Sequence, residues 1–258
     1  MEKRIALQLY SVREYMEKDL WGTLQKVKDC GYNAVEFAGY YGYSAKELKE
    51  GLEELGLEPL SSHVQFDLMR DAPDDVAEFS KELGLSFVVC PAADVNSVET
   101  LKASEEVFRR MAGLLEPLGI GFGYHNHDFE FGLLEDGRRR LDVLLEQGKD
   151  YGLLAEIDTC WAEVGGVNAA DYIRELGDQA GPLHFKDLKE GYDPSKRDVD
   201  TVLGTGVVDF PKIIEDSEAS GILSRGVVVE QEGFEGDPFD ELKAAVDYIH
   251  SIWQAQGA

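Results

Sequence analysis

An α/β protein built as one (β/α)8 TIM barrel is the fold this sequence predicts, a single domain over residues 1–258. Three observations predict it. The 258 residues match the ~250 of one such barrel. Eight short apolar runs alternate with segments of helical period, a pattern that calls for an all-parallel sheet covered by helices. No low-complexity stretch or long linker divides the chain.

The strand-like runs lie at about 5–11, 34–38, 59–64, 87–91, 121–126, 153–160, 182–187 and 226–232. Helical patterns follow them, for example at 44–55, 74–83, 98–118 and 240–254. Gly31, Gly56, Gly84, Gly119, Gly177 and Gly221 each stand just before a strand, where glycine suits a left-handed helix C-cap. A doubly wound open sheet is the alternative. Against it, the first strand–helix turn, from Ser11 to Tyr15, has no glycine-rich dinucleotide loop.

Composition narrows the partners. With 51 acidic and 25 basic residues the formal charge is −26, which repels phosphate backbones and anionic lipid and so disfavours nucleic acid and membranes. A small phosphate needs a local cation to offset that field. No run approaches the ~18 apolar residues of a membrane span. The apolar stretch after Met1-Glu2-Lys3-Arg4 stops at Gln8, too short for a secretory signal. Three scattered cysteines, Cys30, Cys90 and Cys160, form neither a disulfide framework nor a structural zinc motif, so a cytoplasmic location is expected. A homo-oligomer stays open.

Strands covered on both faces should read as nearly continuous apolar runs. These begin that way and turn polar at their C-terminal ends. Glu36 ends the second and His63 the third; His125 and His127 end the fifth, Glu156 and Asp158 the sixth, His184 and Lys186 the seventh, Glu230 and Glu232 the eighth. Alternation puts each of these last four pairs on a common face, and Gln8 with Tyr10 in the first strand likewise. Four of the five histidines sit at such ends; only His250 lies in a helix. Barrel active sites form at that face. Imidazoles and carboxylates together suit a borderline divalent ion such as Mn2+, Zn2+, Co2+ or Fe2+. Carboxylates buried there without a cation would be costly.

Each residue also has a structural reading. A strand histidine such as His63 or His127 is often only hydrogen-bonded in place. Glu36 and Glu232 can orient neighbours or meet solvent. Asp187 reads as a cap for the segment after it, Cys90 as a small core residue and His250 as an ordinary helix side chain. That reading is weakest for Asp158, His184 and Glu230, which come from separate strands to one mouth.

The motifs Leu7-Gln8-Leu9-Tyr10-Ser11, Ala34-Val35-Glu36-Phe37, Ser62-His63, Tyr124-His125-Asn126-His127, Ile157-Asp158-Thr159-Cys160-Trp161, His184-Phe185-Lys186-Asp187, Leu203-Gly204-Thr205-Gly206 and Val229-Glu230-Gln231 together resemble the xylose isomerase-like TIM barrel superfamily of sugar phosphate isomerases and epimerases. That resemblance implies one divalent metal, Mn2+ first, held by a glutamate, an aspartate, a histidine and a glutamate of the fifth to eighth strands. Asp158, His184 and Glu230 match the last three, and His125 stands in the first position. Trp161 replaces a histidine often found there. The resemblance implies enediolate chemistry on a keto-sugar or sugar phosphate, with Glu230 as general base and Glu156 or His125 moving a proton on the other side. His63 and Lys186 would contact substrate oxygens. Tyr10 and Trp161 would wall the substrate, with Glu36 and His127 also assigned to it. A lyase on the same scaffold, eliminating water or an aglycone, is the alternative; a non-enzymatic sugar-binding barrel is a third.

Overall fold

Eight parallel strands hydrogen-bond in the order β6-β5-β4-β3-β2-β1-β8-β7 in the computed structural model, which describes residues 3–193, 196 and 199–256. They are β1 (Ile5–Gln8), β2 (Ala34–Phe37), β3 (Glu58–His63), β4 (Phe87–Cys90), β5 (Gly121–His125), β6 (Leu154–Glu156), β7 (Leu183–Phe185) and β8 (Val227–Val229). Single parallel bridges, Ala155 to Ala180 and Asp158 to His184, join the flanks of β6 and β7 and nearly close the barrel. The closing seam therefore runs through two of the expected metal ligands.

Helices follow the strands and are started by local polar side chains. Ser44 and Glu47 form a capping box before the helix Ala45–Leu55, and Ser97 pairs with Thr100 in the same way before Val98–Leu115. The six glycines expected before strands all have positive φ, from 52° at Gly177 to 103° at Gly31. Among the described residues no helix is long and apolar enough to cross a membrane.

Two strands end earlier than their apolar runs suggest, for one reason. Gln8 turns its side-chain oxygen onto the Tyr10 N–H at 2.9 Å and starts the 3-10 helix Leu9–Val12. Asp158 accepts from the Trp161 N–H at 2.9 Å and caps the helix Thr159–Val164. A short antiparallel ribbon, Asp187–Leu188 with Asp200–Thr201, follows β7. Asp187 caps that region as expected, its carboxylate accepting from the N–H groups of Leu188, Gly204, Gly206 and Val208.

Inside the barrel the lowest layer is apolar. Ala6, Ala34, Leu60 and Val228 pack together there against Phe87. One irregularity changes what stands above them. Val35 pairs with Pro59 but Glu36 pairs with Ser61, so β3 carries an extra residue at Leu60. Such a bulge reverses the alternation beyond it. Ser61 and His63 thereby turn toward Glu36, while Ser62 bonds outward to Tyr40 and to the Phe37 carbonyl.

Candidate active site

Two residues above the apolar layer the strands turn polar together. Glu36 takes hydrogen bonds from Gln8 Nε2 at 2.7 Å and Ser61 Oγ at 2.5 Å, so both its oxygens have neutral donors. His63 Nε2 lies 3.1 Å from Glu36 and 2.7 Å from Glu156. His125 Nδ1 lies 3.1 Å from the same Glu156 oxygen. Glu156 therefore links two imidazoles rather than meeting a lysine or arginine.

His184 is buried between two acids. Its Nδ1 is 3.4 Å from Asp158 and its Nε2 is 3.4 Å from Glu36. Neither approach makes a hydrogen bond, and both nitrogens, Asp158 Oδ2 and Glu156 Oε1 are buried with no hydrogen-bond partner. Lys186, also buried, extends to Glu230 at 3.1 Å and to Glu232 at 2.5 Å.

The charges are strongly coupled. Burial pushes the Glu36 carboxyl up, but His63 and His184 outweigh it and hold it well below the ordinary carboxylate range. Burial opposes the charged form of His63, yet Glu36 and Glu156 raise it to about 10. Burial, helped by the Glu36 charge, pushes Glu156 up to about 7. His125 is driven the other way, well below an ordinary histidine, by burial and by the neighbouring His184 and His63. Lys186 stays charged because Glu230 and Asp158 overcome its burial.

Above this floor opens a cavity of about 470 Å3 whose walls include Tyr10, His63, His125, Trp161, Glu230 and Glu232. His127 also faces it, its ring stacked on Phe129. Tyr10 is 42 % exposed at the rim, with the Arg13 guanidinium 4.1 Å from its ring centre. Lys186 lies below, its ammonium 5.3 Å from the Trp161 ring. Glu36, Glu156, Asp158 and His184 are fully buried beneath the cavity.

Donor atoms of Asp158, His184 and Glu230 lie within 4.8 Å of one another. Two of these residues have orphaned buried donors, and buried polar atoms ordinarily find partners. The set fits a divalent ion with mixed nitrogen and oxygen ligands. His125 Nε2 is 4.0 Å from Asp158 Oδ2, but a His125 nitrogen also belongs to a second convergent group with His63, Glu156 and His184.

Three supporting residues were missed from the sequence. Glu130 is buried and accepts from the Tyr124 hydroxyl and the His127 N–H, each at 2.8 Å; burial pushes it up to about 7. Asn126 accepts from the Asp158 N–H at 3.1 Å and donates to its carbonyl at 3.4 Å, tying β5 to the Asp158 backbone. Asp200 accepts from the N–H groups of Glu232 and Gly233. An acid between two phenylalanines, Phe129-Glu130-Phe131, was the available signal for Glu130. The other two sit among ordinary loop residues.

A model of the xylose isomerase-like TIM barrel family matches residues 24–252. The chain belongs to that family. Among solved structures this family member is similar to a sugar phosphate isomerase/epimerase from Parabacteroides distasonis, with 23% identity, a TM-score of 0.81 and coverage of 97% of this chain and 95% of that one. It is similar in fold to an IOLI protein with a bound zinc atom, at 14% identity and a TM-score of 0.76, over 96% of this chain and 97% of that one. It is also similar in fold to a probable 3-DHS dehydratase, AsbF, from Bacillus anthracis, at 14% identity and a TM-score of 0.70, over 96% and 98% of the two chains. No curated protein matches it significantly.

Proposed function

We propose that this chain is a divalent-metal-dependent isomerase or epimerase of a small keto-sugar or sugar phosphate. One observation carries the reading: proton-transferring groups flank a single cavity from opposite sides. Glu230 follows β8, while His63 and His125 end β3 and β5, and in an eight-stranded ring β8 faces β4 and its two neighbours. Groups so placed can remove a proton from one face of a substrate and return it on the other.

Asp158, His184 and Glu230 would hold the ion, with His125 as the fourth ligand. Once bound, the ion polarises a substrate carbonyl and acidifies the neighbouring C–H. Mn2+ is the first expectation, and the zinc atom of the IOLI protein supports a divalent ion in such a barrel. Glu230 is the base, and the ammonium of Lys186 at 3.1 Å fixes its carboxylate. Across the cavity, Glu156 passes a proton between His63 and His125, to which it stands at 2.7 and 3.1 Å. Glu36, locked by Gln8 and Ser61, orients His63. Tyr10, Trp161 and His127 wall the substrate, since aromatic faces cover sugar C–H surfaces.

A panel of keto-sugars and their phosphates, followed by mass and NMR, tests the reaction. Isomerisation conserves mass and, in D2O, places deuterium on the carbon next to the carbonyl. Loss of water or an aglycone would instead assign the lyase reading, which the similarity to a probable dehydratase supports. Full turnover after chelation of all metal would overturn the metal-dependent mechanism.

A further inference from the structure

The mouth holds more convergent ligands than one ion uses. One nitrogen each of His63, His125 and His184 and one oxygen of Glu156 lie within 4.8 Å of one another. They come from β3, β5, β6 and the β7 strand, so no local turn forces them together. His63 and His125 both approach a single Glu156 oxygen, at 2.7 and 3.1 Å. The three imidazole rings lie 4.6 to 5.8 Å apart, centre to centre. Four donors around a tetrahedral ion at ~2.0–2.1 Å would stand roughly 3.3 Å apart, so only small side-chain shifts separate this group from a three-histidine, one-carboxylate site.

Two buried atoms of the group ask for a partner. Glu156 Oε1 has none, and neither does His184 Nε2. Both residues are fully buried. Glu36, the nearby acid, accepts from Gln8 and Ser61 and stands 3.4 Å from His184 Nε2 without hydrogen-bonding it. The two nitrogens of His184 point to different acids: Nδ1 toward Asp158, beside Glu230, and Nε2 toward Glu36 and the inner histidines.

We propose that His63, His125, Glu156 and His184 form an inner divalent-metal site of their own, distinct from the outer group of Asp158 and Glu230 and joined to it through His184. The inference rests on the function proposed above only at His184, which both groups share; it moves His125 from the outer ion to the inner one and makes ligands of His63 and Glu156, so that with the inner ion bound they no longer carry a proton between them. The neutral imidazoles of His63 and His125, the His184 ring (which gives up its remaining N–H proton to solvent when both ions are bound) and one carboxylate favour zinc or cobalt among borderline ions. The inner ion offsets buried negative charge from Glu36 and Glu156, whose ion-pair partners are imidazoles. His125 serves the inner ion through Nδ1 and leaves Nε2 toward Asp158.

The test uses the full chain, stripped with a chelator, reloaded with Zn2+ or Co2+, freed of excess ion and assayed for metal content. Thermal unfolding and circular dichroism confirm the fold of every variant. The expected result is ~2 ions per chain, falling to ~1 in His63→Ala and in Glu156→Gln, with the inner ion retained in Asp158→Asn and Glu230→Gln. His63→Gln, closer in size, replaces His63→Ala if that variant does not fold. The visible spectrum of the Co2+ form should change most in the inner variants. One ion lost from the inner variants but kept in the outer ones upholds the inner site and overturns the outer ligand set. One ion lost from the outer variants but kept in the inner ones overturns this inference and leaves the proposed function standing. No bound ion in any form overturns both.

Discussion

At the N-terminal end of the barrel a hollow of about 590 Å3 is bordered by Lys3, Arg4, Glu58 and Glu218; at the mouth the cavity is smaller, about 470 Å3. The difference lies in how their charges are satisfied. At the lower end Lys3 pairs with Glu218 at 2.8 Å and Arg4 with Glu58 at 3.0 Å, all partly exposed. At the mouth Glu36, Glu156, Asp158 and His184 are fully buried, and several of their donor atoms lack hydrogen bonds. Hollow size does not set the mouth apart, whereas the convergence of buried carboxylates and imidazoles does. The same strands supply both levels: Ala6 and Gln8, Ala34 and Glu36, Val228 and Glu230 are each two residues apart. The lower members pack as apolar side chains, and the upper ones carry charge or hydrogen bonds. Stability should therefore reside below and activity above, and changes at each level can break that division.

The largest effect is expected at Glu230. Glu230→Gln keeps the shape but removes the base, and turnover should fall on the order of 10³-fold with an unchanged melting curve. Near-normal kcat would take Glu230 out of the mechanism. Below it, Leu60→Ala deletes most of a side chain from the apolar layer and should cost ~2–5 kcal/mol in denaturant unfolding. Its kcat should stay within about twofold of the parent at a temperature where the variant is folded; a collapse of kcat there would show that the two levels are not separable.

Glu156→Gln should behave in the opposite sense. Turnover, or affinity for the ion held by Asp158, His184 and Glu230, should drop ~10–100-fold, while the metal-free protein loses no stability, because the substitution removes a buried carboxyl with an unpartnered oxygen. Calorimetry of the stripped protein beside a metal titration decides it, and destabilisation of the metal-free form would mark Glu156 as structural. The smallest change is expected at the lower hollow. Glu218→Gln weakens one partly exposed ion pair, so stability should move by less than ~1 kcal/mol and turnover not at all. A kinetic effect there would make the lower hollow a functional region as well.

The sequence by itself determined the architecture and singled out most of the side chains that meet at the mouth. Strand alternation, glycine stops and polar strand ends are local signals, readable one element at a time. They singled out Asp158, His184 and Glu230, whose polar atoms converge, and Asp187 as a cap. Tertiary structure decided which of these groups meet. His184 faces both Asp158 and Glu36 only because the barrel closes between β6 and β7. His63 reaches Glu36 and Glu156 only because β3 bulges at Leu60, where simple alternation from Leu60 would have turned Ser62 inward instead. Glu130 and Asn126 act through loop conformations that hold His127 and Asp158. Periodicity is a property of one strand, but register, bulges and closure depend on hydrogen bonds between segments far apart in the chain, and there the grouping of these side chains is set.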